Sequence, residues 1–247
     1  MASAATDNYI GKNTSVLKSD LMTPETLWAL GRVGGVSASA DGTKAVYNVV
    51  YYSVEQNKSR SVLYLLDFKT CKTVQLTDNS ASESGAVFIN NDQQLLYASK
   101  GQLWVMNADG TSKHQITTTK QGEDIDDFLL SPDGKKIILI RQIPSYSSIQ
   151  KNPDDLPLSQ GMVINDMMYK HWDQFVKTVP HPFVADFSVN GIGAETDILE
   201  GEPYDCPMMP YGGAEQLAWS PDSKNIAYSC RKKVGKAMAV STDSDIF

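Results

Sequence analysis

The chain has 247 residues, 41% of them hydrophobic and 21% charged, with a formal net charge of −7. This is the composition of an ordinary globular protein, long enough to bury a substantial core, and its acidic balance offers no attraction to nucleic acid or to an anionic membrane surface. The longest apolar stretches are strand-length, far short of the roughly 20 residues that cross a bilayer as a helix, so neither a nucleic-acid partner nor a membrane association is expected.

The opening, Met1 to Asn13 (MASAATDNYIGKN), is small and polar. It reads as a flexible lead-in without the charged-then-apolar pattern of a signal peptide, as the start of a mature exported protein also would. Next, Thr23-Pro24-Glu25 followed by Leu27, Trp28 and Leu30 predicts a short amphipathic helix. Thr23 is its N-cap, Pro24 takes the first helical position and Gly31 ends it. Residues 1–35 therefore form a lead-in and helix, with Leu27 and Trp28 either packed on the rim of the neighbouring repeats or awaiting another domain.

From Val36 onward one phrase recurs: an apolar run, a turn centred on Asp or Asn, and a second apolar run. The copies are VSASADGTKAVYNVV, VFINNDQQLLYAS, FLLSPDGKKIILI and LAWSPDSKNIAYS, with turns at Asp41, Asp92, Asp133 and Asp222 that lie 51, 41 and 89 residues apart. Asx and Gly tolerate the positive φ of tight hairpins, so the turn aspartates read as structural caps. One hairpin phrase per roughly 40 to 50 residues is the period of a β-propeller blade.

Blade one places strands at Ala45–Tyr52, Arg60–Asp67 and Thr73–Leu76, and blade two repeats it at Gln102–Asn107 and His114–Thr117. The shared scheme of an apolar strand ending in Asp or Asn, a turn, then Gln, Leu or Ile, and Thr marks true repetition. Blade three starts at Asp127–Arg141 and resumes at Pro182–Phe187, separated by an insert at 143–181 that carries Pro144, Pro153, Pro157 and Pro180 around VINDMMYKHWDQFV. Insertions of this length are usually functional. Blade four starts at Gln216–Trp219 and runs on to Lys236–Val240. The fold class is all-β: a partial β-propeller over 36–247, about four blades of a larger ring of about seven, preceded by a short helix.

Several chemistries find no signature. A nucleophile elbow needs G-x-S-x-G, which is missing from the sequence, and no glycine-rich phosphate loop joins a strand to a helix. His114 reads as a surface strand residue, and His171 and His181 at the insert have no ligand spacing, so no metal and no cofactor is expected. Cys71, Cys206 and Cys230 read as ordinary buried or partly buried thiols, with one disulfide open to an exported protein. One constellation carries possible binding chemistry, Glu200-Gly201-Glu202-Pro203-Tyr204-Asp205. Paired carboxylates beside an aromatic suit a cationic amine such as a peptide's N-terminus. A solvated acidic loop is the other reading.

Together, the opening from Met22, WVMNADGTSKHQIT, VINDMMYKHWDQFV with HPFVADF, and DILEGEPYDCPMMPYGG leading into QLAWSPDSKNIAYSCRKKVGK resemble the N-terminal propeller of serine peptidases of the prolyl oligopeptidase family. The likeness is to the bacterial branch that includes acylaminoacyl and dipeptidyl peptidases, and it covers nearly everything from Asn13 to Phe247. It implies a substrate-gating propeller that caps an α/β-hydrolase domain absent from this chain, and with it the catalytic triad. It further implies oligopeptide substrates, release of dipeptides or blocked residues from their N-termini, and a periplasmic or secreted parent enzyme. Glu200, Glu202, Tyr204 and Asp205 are then candidates to meet the substrate's N-terminal end, and Leu27 and Trp28 to dock on the hydrolase domain. A stand-alone TolB-like propeller that binds a protein partner is the alternative. A ring cut open leaves a free sheet edge, through which the chain is expected to self-associate.

Overall fold

The computed structural model describes residues 10–12, 20–120, 123–145, 149–150, 156, 158–167 and 169–247. Of the expected lead-in only Ile10, Gly11 and Lys12 fall within these, while Pro153 and Pro157 of the insert fall outside. The chain divides into two compact units, Met1–Thr119 and Lys120–Phe247.

The first unit opens with helix α1 (Pro24–Ala29), where Thr23 is the N-cap and its side chain accepts from the Thr26 amide at 3.2 Å. The helix ends differently from the sequence expectation. Leu30 is the C-cap in an extended conformation, and Gly31 is needed for space: a Cβ there would lie 2.7 Å from Val49 Cγ1 and 2.8 Å from Tyr51 Cε1. Strands β1 (Arg32–Ala38), β2 (Lys44–Ser53), β3 (Lys58–Asp67) and β4 (Lys72–Gln75) form an antiparallel meander in that order. Strands β5 (Glu83–Ile89), β6 (Gln94–Ser99), β7 (Gln102–Asn107) and β8 (His114–Gln115) repeat it. The two blades share a core of Val46, Leu63, Leu76, Ala86, Leu95, Tyr97 and Met106. Each large apolar side chain buried in this way contributes about 1.5–3 kcal/mol.

In the second unit, β9 (Ile125–Leu130) pairs with β10 (Lys136–Pro144). After the short hairpins β11 (Ile149–Gln150) with β12 (Val163–Ile164), and β13 (Lys170–His171) with β14 (Gln174–Phe175), comes the long strand β15 (Thr178–Ser188). Strand β15 pairs with β10 and carries β16 (Gly191–Ile192) and β17 (Thr196–Asp197) on its far side. Ile137 to Ile140 of β10 are all at most 3% exposed, because a central blade strand is covered on both faces and so reads as a continuous apolar run. The β10–β15 ladder continues to Pro144 opposite Thr178. Ile143 and His181, assigned to the insert by sequence, are thus ladder residues, and the excursion spans 145–177.

The fourth blade holds β18 (Leu217–Trp219), β19 (Ile226–Cys230) and β20 (Asp245–Ile246). Lys236–Val240, reached by the sequence reading as a continuation of this blade, is instead a five-residue helix, α2. Lys, Ala and Met are strong helix formers, and the third strand position passes to β20, paired with β19 at Ser229 and Cys230. Ile138, Ile140, Leu199, Cys206 and Leu217 form the shared core of this unit.

The repeated phrases have a common physical explanation. Ser39, Ser131 and Ser220 donate to Asp41, Asp133 and Asp222 at 2.7, 2.8 and 2.6 Å, and each carboxylate also accepts the amide two residues on. Gly42 and Gly134 follow with φ of +68° and +67°. The second copy departs from this scheme: Asn90, Asn91 and Asp92 all have positive φ, and the Asp92 carboxylate accepts the amides of Ala40 at 3.0 Å and Asp41 at 3.2 Å. Its turn therefore latches the turn of the preceding blade. Blade four uses the same device with different chemistry, since Ser223 stands where Gly stands in two other copies and its hydroxyl accepts the Asp133 amide at 3.1 Å. A left-handed non-Gly residue costs about 1–2 kcal/mol, offset here by a contact that glycine cannot make.

The threonine that ends the outer strand phrase is equally purposeful. Thr77 Oγ1 accepts the Leu63 amide at 3.0 Å, and Thr117 Oγ1 accepts the Leu103 amide at 2.9 Å, extending each ladder by one bond. Gln75 and Gln115 donate to the carbonyls of Thr77 and Thr117. Thr77 then donates to Glu83 Oε2 at 3.0 Å, which leaves a buried carboxyl group in β5.

Candidate functional site

Two features singled out in the sequence meet in the second unit, the insert and the connection that follows β17. The connection is anchored at its start by Asp197. One carboxylate oxygen accepts the Leu199 amide at 2.8 Å, while the other meets His181 Nδ1 at 2.9 Å. His181 is fully buried, and its Nε2 has no hydrogen-bond partner among the described residues. Leu199 is 3% exposed and pins the connection into the core. A turn closes from the Glu202 amide to the Leu199 carbonyl at 2.9 Å, with Gly201 at φ +80°.

Glu200 is presented to solvent on this turn, while Glu202 and Tyr204 are half-buried beside it. Asp205 differs from them: it is 4% exposed, and its Oδ2 accepts the Met209 amide at 2.8 Å. The Cys206 amide donates to Pro180 of β15 at 2.9 Å, and the Met208 amide donates to Gln216 Oε1 at 2.8 Å. Thus the short run Glu200–Asp205 divides by role. Its first part is offered outward, and its last residue holds the loop together.

Further along, Met209 and Pro210 form one wall of a cleft of about 640 Å³ whose other wall is the insert hairpin. Lys170 pairs with Phe175 and His171 with Gln174, and Trp172, at φ +54°, projects from the hairpin turn with 86% of its surface exposed. Tyr169 and Phe175 lie with ring centroids 6.4 Å apart, and the Lys170 ammonium sits 4.6 Å from the Phe175 ring. Gln142 and Thr178 from the ladder also line the cleft. Such a surface, with aromatic and thioether walls and a few polar groups, suits an extended peptide with apolar side chains. From the connection the lining takes Met209 and Pro210, and Glu200 to Asp205 lie earlier in the same loop.

In the first unit, Trp28 stacks edge-on against Tyr52 at 5.3 Å, and the Arg32 guanidinium lies 5.0 Å from the Trp28 ring and 4.5 Å from the Tyr52 ring. Leu27, Trp28 and Leu30 remain 46%, 42% and 47% exposed. A groove of about 600 Å³ beside the helix is lined by Ile10, Lys12, Pro24, Trp28, Tyr52 and Val54, among others. Ile10 is held there by its carbonyl, which accepts from Asn79 Nδ2 at 2.6 Å.

Sequence reasoning missed the buried groups. His181 and Asp197 stand 16 residues apart, on two strands whose register only the ladder sets. Glu83 looks like a surface residue in a polar connection, yet it is 6% exposed, and burial raises its carboxyl to about 7 against the opposing effect of the Thr77 hydroxyl. Burial likewise raises Asp127, whose carboxylate accepts the Phe128 and Ala214 amides.

No family model matches the chain. Among curated proteins it is similar to dipeptidyl-peptidase 5 of Porphyromonas gingivalis, 39% identical across 100% of this chain and 36% of that protein. It is also similar to dipeptidyl-peptidase 5 of Porphyromonas endodontalis, 35% identical across 93% of this chain and 34% of that protein. The chain thus spans about a third of the length of these curated relatives. Among solved structures, an acylaminoacyl peptidase in complex with Z-Gly-Gly-Phe-chloromethyl ketone matches with a TM-score of 0.52 at 11% identity, over 83% of this chain and 28% of that one. The Pyrococcus horikoshii acylaminoacyl peptidase matches with a TM-score of 0.50 at 12% identity, over the same shares. These two structures share the fold. With antiparallel blades of that fold and relatives matched along its whole length, the chain is a β-propeller portion similar to the matched third of dipeptidyl-peptidase 5.

Proposed function

We propose that this chain is the substrate-gating portion of a periplasmic or secreted serine exopeptidase that releases dipeptides or blocked residues from oligopeptide N-termini. The observation that carries this reading is the similarity to dipeptidyl-peptidase 5 over the full chain at 39% identity. The cleft between the insert hairpin and Met209-Pro210 supports it, as a surface of suitable size and chemistry for a short peptide. In this reading, for dipeptide release, Glu200, Glu202 and Tyr204 meet the charged N-terminal amine through charge-assisted hydrogen bonds. Asp205 keeps the loop in position for them by its bond to Met209.

The chemistry itself belongs to an α/β-hydrolase domain that this chain meets through Leu27 and Trp28. The apolar exposure around α1 supports that role, since patches of this kind mark interaction sites. Through the open sheet edge of the partial ring the chain on its own is expected to associate with itself, which light scattering across a concentration series will register. The decisive activity test compares two samples with a dipeptidyl-chromophore substrate. The complete gene product carrying this sequence is expected to hydrolyse it, and the 27.1 kDa chain alone is expected to be inactive. Hydrolysis by the verified 27.1 kDa chain, or none by the complete product with any dipeptidyl or acylaminoacyl substrate, would refute the proposal.

A further inference from the structure

The three cysteines occupy contrasting places. Cys71 is exposed in the turn between β3 and β4, whereas Cys206 and Cys230 are both 0% exposed in the core of the second unit. These two are bound reciprocally. Cys206 Sγ donates to the carbonyl of Ser229, the residue before Cys230, at 3.7 Å. Cys230 Sγ donates to the carbonyl of Asp205, the residue before Cys206, at 3.7 Å. A carbonyl oxygen lies about 2.8 Å from the next residue's Cα, so each sulfur sits within about 6.5 Å of the other cysteine's Cα. Each thiol is thus turned toward the segment that carries the other, and closing an S–S bond needs the two Cα atoms to stand about 4.4–6.8 Å apart.

The geometry points to a disulfide between Cys206 and Cys230 in the mature protein, tying the connection after β17 to β19. This inference rests on the exported reading only for its oxidising surroundings, and its chemistry is testable without the peptidase activity. In the step itself, one cysteine thiolate attacks a small disulfide such as oxidised glutathione, forming a mixed disulfide and expelling one thiolate. The second cysteine then displaces the other glutathione thiol. One S–S bond forms in the protein, both cysteines lose their protons, and two electrons reduce the external disulfide to two thiols.

Burial also says when the bond forms. Desolvation raises Cys206 to about 12 and Cys230 to about 11, so neither thiolate is populated in the closed blade and exchange there is slow. Oxidation therefore belongs to the stage at which blade four closes, after which the bond is shielded from reductants. Cys71, exposed, stays free. The bond would hold the loop that carries Glu202 and Tyr204 against the blade, with Cys206 next to Asp205 as its fixed point.

The test is to refold the reduced chain in a mixture of oxidised and reduced glutathione, trap with iodoacetamide, and map the peptides by mass without reduction. The inference predicts one alkylated cysteine, Cys71, and a linked peptide pair containing Cys206 and Cys230 that is lighter than the reduced pair by two hydrogens. It also predicts a melting temperature about 10 °C above that of the reduced chain. The C71S variant should give the same linked pair. Three alkylated cysteines, a bond through Cys71, or equal melting of the two forms would overturn it.

Discussion

Glu83 offers a quantitative test of the buried network in the first unit. Its side chain is 6% exposed and accepts the Thr77 hydroxyl, which in turn accepts the Leu63 amide. Burial raises the carboxyl from 4.5 to about 7. A carboxyl raised in the folded state contributes stability that is present below pH 4.5 and lost as pH rises through about 7. At 1.36 kcal/mol per unit, the loss between pH 5 and pH 8 amounts to about 2–3 kcal/mol. Glu83→Gln keeps the shape and an acceptor for Thr77 but carries no titrating proton. Urea unfolding of the unit at both pH values is expected to show wild type losing about 2–3 kcal/mol relative to the variant as pH rises. Parallel pH dependence of the two proteins would refute the assignment of a protonated, buried Glu83.

Three further perturbations test particular contacts. Asp92→Ala removes the carboxylate that accepts the Ala40 and Asp41 amides and is expected to cost about 1–2 kcal/mol in urea unfolding, since bonds to a charged group are the stronger kind but this one is solvent-accessible. Gly31→Ala puts a methyl group within 2.8 Å of both Val49 and Tyr51 side chains and should destabilise by about 1–3 kcal/mol through overpacking. A neutral effect would mean that β2 yields more readily than its packing indicates. Thr23→Ala deletes the α1 N-cap and should cost about 1 kcal/mol, read locally as faster amide exchange and a shift in Trp28 fluorescence, with unchanged exchange counting against a stable helix there.

How much of this was legible in the sequence depends on the range of the interaction. The Ser-x-Asp turns were readable because the bonds of Ser39 and Asp41 close within five residues. The strands around them follow from alternation and from continuous apolar runs such as Ile137–Ile140. What the phrase could not show is the use made of its variations: Asp92 and Ser223 look like imperfect copies, yet each reaches the neighbouring turn. Lys236–Val240 departs from that reading because local helix propensity prevailed and the pairing position on β19 went to Asp245–Ile246. His181 with Asp197, and Cys206 with Cys230, are products of long-range register, which leaves no spacing rule behind. The candidate site lies between these cases. Its acidic loop and aromatic insert stand out as sequence, but the meeting of Met209 and Pro210 with the Trp172 hairpin is set by the tertiary fold.

The central claim is that this propeller portion receives the N-terminal end of a peptide. The most direct measurement is calorimetric titration of the chain with an apolar tetrapeptide and with its N-acetylated counterpart, repeated on Glu202→Gln. The account predicts that the free-amine peptide binds at least about tenfold more tightly than the acetylated one, the worth of one charge-assisted hydrogen bond, and that Glu202→Gln abolishes the difference. Equal binding of the two peptides to the wild-type chain, or a preference that survives in Glu202→Gln, would contradict it.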